Sequence, residues 1–146
     1  RDEYNQVLGD KRGDFRVMLV HEWLPQALSE TAAQDKGGES WYLFGHCTEV
    51  TALPASTRQW ADIFARFGAK LENVSVGCCG MAGTYGHEVK NHANSLAIYA
   101  LSWQQAMERL PRNRCLVTGY SCRSQVKRIE GSGVRHPLQA LLEIMG

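Results

Sequence analysis

Residues 71–88 read LENVSVGCCGMAGTYGHE: a short apolar run, a glycine, two adjacent cysteines, then a glycine-rich turn leading toward a helical pattern. A run of that length stopped by glycine is a strand over Leu71–Val76. Two neighbouring cysteines in extended backbone point to opposite faces, so both reach one site only where the chain can turn. Gly77 and Gly80 flank the pair and Gly83 and Gly86 follow it, which supplies that freedom.

Working outward, the same strand-then-turn unit recurs. Trp41 to Gly45 reads as a buried strand ending at His46-Cys47, and a helix opened by Pro54 and Ser56-Thr57 runs through Trp60, Ile63, Phe64 and Phe67 to Gly68. Beyond the glycine loop, one long helix is expected from Glu88 to Arg109, with Leu96, Tyr99, Ala100, Trp103 and Met107 on one side. Cys115 to Gly119 forms a third strand, and Ser121 is placed to cap a helix running through Ile129. Val134 to Pro137 reads as the end of a fourth strand, and Leu138 to Met145 closes the chain as an amphipathic helix. Alternating strands and helices predict an α/β fold: a single Rossmann-like three-layer domain with a mainly parallel sheet.

The amino-terminal part is less regular. Residues 1–40 are read as a linker with a first strand or helix element, since periodicity does not decide whether Phe15–Val20 is a strand or continues into His21-Glu22-Trp23-Leu24. Ser29 to Ser40, rich in Ala, Gly, Gln and charge, marks a surface loop. The chain begins with Arg1 rather than Met, and it is expected to be a piece of a longer protein.

Composition narrows the function. The chain has 146 residues, a net charge of +1 and 44% apolar residues, the profile of an ordinary globular domain. No apolar run approaches the roughly 20 residues a bilayer-spanning helix needs, and Arg1–Gln6 lacks a signal-peptide core. Five cysteines including an adjacent pair make a poor disulfide framework, so a cytoplasmic setting is expected. Residues 109 to 135 carry seven Arg or Lys against one acid, Glu130. They come without a nucleic-acid-binding module or an aromatic stacking platform, so they are read as a solvated helix face.

The parallel arrangement gathers chemistry at one place. Carboxyl ends of parallel strands are where α/β folds assemble sites, and Cys47, Cys78, Cys79 and Cys122 each follow an apolar run. Thiolates are the soft ligands that iron–sulfur clusters and zinc accept, so these four are the candidate metal ligands. His46 and His136, expected on the same edge, are candidate ligands or their hydrogen-bond partners. Cys115 starts its strand and is read as a small buried hydrophobe. Cys122, one residue past Ser121, is expected near a helix N-terminus that lowers its pKa, with Arg123 acting in the same direction. Gly80, Gly83 and Arg123 complete the site as candidate cofactor-binding residues. The residues alone leave open an iron–sulfur centre, a zinc-stabilised structural domain and a metal-free redox thiol pair of Cys79 and Cys122.

Cys47, then Cys78-Cys79-Gly80, then VTGYSCRSQ over residues 117–125 together resemble the cysteine-rich CCG domain of heterodisulfide reductase subunits and of glycolate, glycerol-3-phosphate and lactate oxidation systems. The resemblance covers residues 41–146. FGHCTEV, VGCCGMAGTYGHE, TGYSCRSQ and RHPLQALLE look more closely like the C-terminal end of YdiJ-type FAD-linked oxidases, which are similar to D-lactate and D-2-hydroxyglutarate dehydrogenases. That resemblance implies FAD and a ferredoxin-like iron–sulfur region in upstream domains, an electron acceptor as partner, and a redox role for the present chain. It also marks a departure: the wider family ends in C-x-x-C, whereas the position three before Cys122 is Gly119, leaving His46 or His136 to substitute for the thiol.

Overall fold

A computed structural model describes residues 2–31 and 38–146 and divides the chain into two compact units, Arg1–Ala32 and Ala33–Gly146. In the first unit, α1 (Asp2–Leu8) runs into a 3-10 turn at Gly9–Arg12, and α2 covers Val20–Ala27. The expected linker is thus helical over part of its length. Phe15–Leu19 is not a strand: the chain is irregular until Leu19, whose backbone N–H donates to the Glu22 carboxylate and whose carbonyl accepts from the Glu22 and Trp23 N–H groups, opening α2. Residues 32–37 of the expected surface loop lie outside the described residues.

The second unit is built on three parallel strands in the order β2-β1-β3: β1 Ser40–Phe44, β2 Lys70–Asn73 and β3 Cys115–Val117. Tyr42 pairs with Cys115 and Phe44 with Val117, and alternation puts these four on one face while Trp41, Leu43 and Leu116 take the other. On the first face, Phe44, Cys115 and Val117 join Tyr99, Trp103, Met107 and Val126 in one core. Those partners come from α5 (His92–Ala100), α6 (Trp103–Arg109) and α7 (Tyr120–Glu130). The second face is covered by α4 (Ser56–Ala65) and α8 (Pro137–Met145), with Phe64 edge-on to Trp41 at 6.4 Å. A short α3 (Cys47–Ala52) follows β1 directly. Helices on both faces of a parallel sheet make the expected three-layer α/β arrangement.

Two elements differ from the sequence reading. The long helix expected over 88–109 is broken into 3-10 turns at Tyr85–His87 and Val89–Asn91, then α5 and α6. The break falls at Leu101-Ser102, where Ser102 leaves helical geometry. There its hydroxyl accepts the Gly77 N–H at 3.0 Å, and the Trp103 indole N–H donates to the Gly77 carbonyl at 2.9 Å. The helix gives up continuity to hold the peptide that leads into the cysteine pair. Of the residues expected on one side of that helix, Leu96 and Ala100 are exposed, while Tyr99, Trp103 and Met107 fill the core.

The fourth strand is likewise reduced to a single bridge between Leu116 and Arg135. Pro137 lacks an N–H and suits the first turn of a helix better than a strand, so the chain enters α8 directly after Arg135.

Candidate functional site

The carboxyl ends of the three strands bring four sulfurs together. Cys47 is the first residue of α3, after β1; Cys78 and Cys79 lie in the loop after β2; Cys122 lies in the first turn of α7, after β3. They lie close enough to shift one another's titration: Cys47 acts on Cys78, and Cys78 and Cys122 act on Cys79. Cys47 is exposed, Cys78 half-buried, and Cys79 and Cys122 are buried. All are free thiols, as is Cys115, whose sulfur sits in the core against the Pro111 carbonyl at 3.5 Å. Burial pushes the Cys115 thiol up to about 11.

Glycine builds the loop, for more than one reason. Gly80 has φ +85, in the left-handed region that favours glycine, and a Cβ there would stand 2.2 Å from the Ser95 carbonyl oxygen. Its N–H donates to the Cys78 sulfur at 3.3 Å. Gly83 has φ +67, and a Cβ there would meet open space. Gly86 is packed against Met81 and Ser95.

A buried polar network lies beneath the loop. Gln125, one turn past Cys122, donates to the Ser95 hydroxyl at 2.9 Å and carbonyl at 3.3 Å. Arg128 donates to the same hydroxyl at 3.1 Å and to the Gly86 carbonyl. Gln125 and Ser95 are fully buried, so the backbone of the cysteine loop is fixed to both α5 and α7.

The electrostatics reverse the expected roles of two thiols. Ser121 does not cap α7; Gly119 is the N-cap, with no side-chain bond, and Cys122 stands third in the helix. The neighbouring Cys79, reinforced by burial, pushes the Cys122 thiol upward. Cys79 is the group made acidic, drawn from an ordinary 9.0 down to about 7, first by Cys122 and then by the Met81 N–H, against burial. Burial raises Cys78. Arg123 supplies no bond to the thiols: its guanidinium donates to the Val117 and Thr118 carbonyls and lies over the Tyr120 ring.

The two histidines part company. His46 caps α3, donates its N–H to the Thr118 hydroxyl at 2.9 Å, and lays its ring over Gly119. A Cβ on Gly119 would fall 2.3 Å from the His46 ring and 3.0 Å from the Cys122 sulfur, so Gly119 is the space that lets ring and thiol stand side by side. His46 Nε2 reaches the Ser121 hydroxyl at 3.5 Å. His136 is a cap instead: its Nδ1 accepts the Leu138 N–H at 3.2 Å and its ring meets Trp60 edge-on at 5.7 Å. Burial, then the nearby Arg123, lowers its pKa.

The basic third of the sequence is not a solvated face. Five of its seven cations make bonds inside the unit: Arg123 and Arg128 as above, Arg112 to Glu130 at 2.6 Å, Arg114 to Glu39 and Arg135 to Glu143. Arg114 and Arg135 also lie over the Trp41 ring, at 4.6 and 4.9 Å.

Soft sulfur donors suit zinc or iron by type. Their arrangement suits them less, because no three His, Cys, Asp or Glu side chains among the described residues form a group that could hold a metal ion. Also among the described residues, no helix is long and apolar enough to cross a membrane.

Known proteins match this chain closely. It is 74% identical over 145 residues to D-2-hydroxyglutarate dehydrogenase of Escherichia coli, 70% over 145 residues to that of Pantoea ananatis, and 50% over 153 residues to that of Haemophilus influenzae. Each match takes in 99% of the chain but only 14–15% of the relative's length. No family model matches, and no solved structure does. The chain is the counterpart of one segment of a much longer protein.

Proposed function

We propose that this fragment of a D-2-hydroxyglutarate dehydrogenase-type protein is its C-terminal electron-handling module, with Cys47, Cys78, Cys79 and Cys122 as the redox centre. The observation that carries the reading is the meeting of four sulfurs from three separate strand ends. Removal of hydride from a 2-hydroxy acid is flavin chemistry, and the FAD belongs to the part of the protein outside this chain, as does a ferredoxin-like iron–sulfur region. The present chain then stands between the reduced flavin side and an electron acceptor, in the cytoplasm.

An iron–sulfur cluster or zinc is the group such donors would accept, the second giving a structural rather than a redox role. Iron, sulfide and zinc assays on anaerobically purified protein, with its visible absorbance, test the reading. Iron with sulfide and a broad visible band, or a metal-free dithiol centre, supports it; stoichiometric zinc with no redox-active thiol contradicts it.

A further inference from the structure

We infer that α5, with the 3-10 turn Val89–Asn91 that leads into it, is the face on which this unit packs against the rest of its own polypeptide. The inference goes beyond the redox reading and stands whether or not the thiols carry electrons. It begins in the sequence. From Asn91 to Met107 there is no Asp, Glu, Lys or Arg, although 21% of the whole chain is charged. A surface helix ordinarily turns an apolar stripe to the core and a polar face to water, and a helix that is apolar all round is covered on every side.

α5 puts Ser95 and Tyr99 into the core. Helical spacing sets Ala93, Ala97, Ala100 and Leu101 on the opposite side, and all four are exposed, as is Leu96 beside them. Leu101 is 78% exposed and Val89, in the turn before the helix, 93%. Helix propensity accounts for the alanines. It does not account for two leucines and a valine gathered in water. The next helix shows the ordinary pattern: α6 exposes Gln104, Gln105, Glu108 and Arg109, with the Gln104 amide donating to the Glu108 carboxylate at 3.1 Å. Leu142 on α8 is exposed too, but it stands between Gln139 and Glu143, both exposed, and an apolar side chain standing singly needs no partner.

What covers α5 follows from length. The chain spans only 14–15% of the relatives it matches, so most of the polypeptide lies outside these residues. A second copy fits the face poorly, because a stand-alone interface engages roughly 20–30 residues a side and these few side chains fall well short. A partner joined through the backbone is held at an effective concentration of roughly millimolar, so a small apolar face suffices. The face also backs directly onto the cysteine loop. Ser95, on the inner side of α5, accepts from Gln125 at 2.9 Å and from Arg128 at 3.1 Å, and Gly80 packs against its carbonyl. The loop therefore lies one helix, roughly 10 Å, behind the covered surface.

The test uses the full-length protein. Hydroxyl-radical footprinting read by mass spectrometry compares two leucines about equally open in this unit, Leu101 at 78% and Leu142 at 70%. Leu101 is expected to be oxidised about fivefold or more slowly than Leu142; equal oxidation of the two overturns the proposal. Leu101→p-benzoylphenylalanine, photolysed and mapped by peptide mass spectrometry, identifies the occupant. Cross-links to peptides of the same polypeptide outside residues 1–146 are expected. Cross-links between two copies, cross-links confined to residues 1–146, or none at all overturn it. Should that variant fail to fold, the footprint of the unsubstituted protein decides alone. Neither readout involves metal or thiol chemistry, so failure here leaves the redox-module reading standing, and failure of that reading leaves this interface standing.

Discussion

At the scale of single residues, the site depends on who bonds to whom more than on which residues are present. A thiol at a helix start would ordinarily be the acidic one, yet Cys79 and burial push Cys122 up, while Cys79 falls to about 7. The consequence for stability follows from proton counts. Between pH 7 and 9 the unfolded chain keeps both protons and the folded pair has lost one, so stability rises with pH by at most about 1.4 kcal/mol per unit. Above 9 the unfolded thiols ionise while Cys122, and Cys115 up to about 11, keep theirs, so stability falls. Denaturant unfolding across this range under reducing conditions should show a maximum near pH 9, and Cys122→Ala should abolish the rise between 7 and 9. Gly119 gives a second residue-scale prediction. Its φ of −74 is ordinary, so only space forbids a side chain. Gly119→Ala should cost about 1–3 kcal/mol by overpacking and displace the His46 ring, visible as a shifted imidazole resonance. Gly83→Ala, with open space, should cost only about 1 kcal/mol of backbone strain.

At the scale of elements, strands and the positions of the cysteine turns were legible because short apolar runs stopped by glycine leave few alternatives. The helix over 88–109 was not. Its apolar spacing runs unbroken through Leu101-Ser102, and what breaks it is a distant peptide, Gly77, that offers an N–H and a carbonyl at once. Such a competing partner has no local signature. The same holds for Arg114 in the basic third, whose partner Glu39 lies 75 residues away in sequence. Gln125 had a signal, since it sits one turn after Cys122 on a helix face that must be buried. His136 was expected as a strand end, but Pro137 behind it already favoured a helix start. Two element-scale outcomes follow. Trp103→Phe leaves the Gly77 carbonyl without its donor and should cost about 1–3 kcal/mol, with faster hydrogen exchange in the cysteine loop than at β1. His136→Ala should remove about 1 kcal/mol of capping energy. Because His136 Nδ1 must be unprotonated to accept the Leu138 N–H, and its pKa is lowered in the folded chain, α8 should also loosen as pH falls below the ordinary histidine value of 6.5.

At the scale of the whole protein, the chain spans about 14% of the length of its relatives, and the role proposed for it is electron transfer rather than substrate oxidation. By itself it should not turn over D-2-hydroxyglutarate or D-lactate with a dye acceptor, because nothing in the three-layer unit provides a flavin. The central claim, that the four sulfurs handle electrons after the flavin, is tested most directly in the full-length protein by stopped-flow comparison of Cys79→Ser with the unsubstituted enzyme. Serine keeps nearly the volume of cysteine, so the fold should survive, and circular dichroism checks that it does. Flavin reduction by substrate is expected at an unchanged rate, with reoxidation by the acceptor slowed about tenfold or more. Reoxidation at the original rate in the folded variant would contradict it.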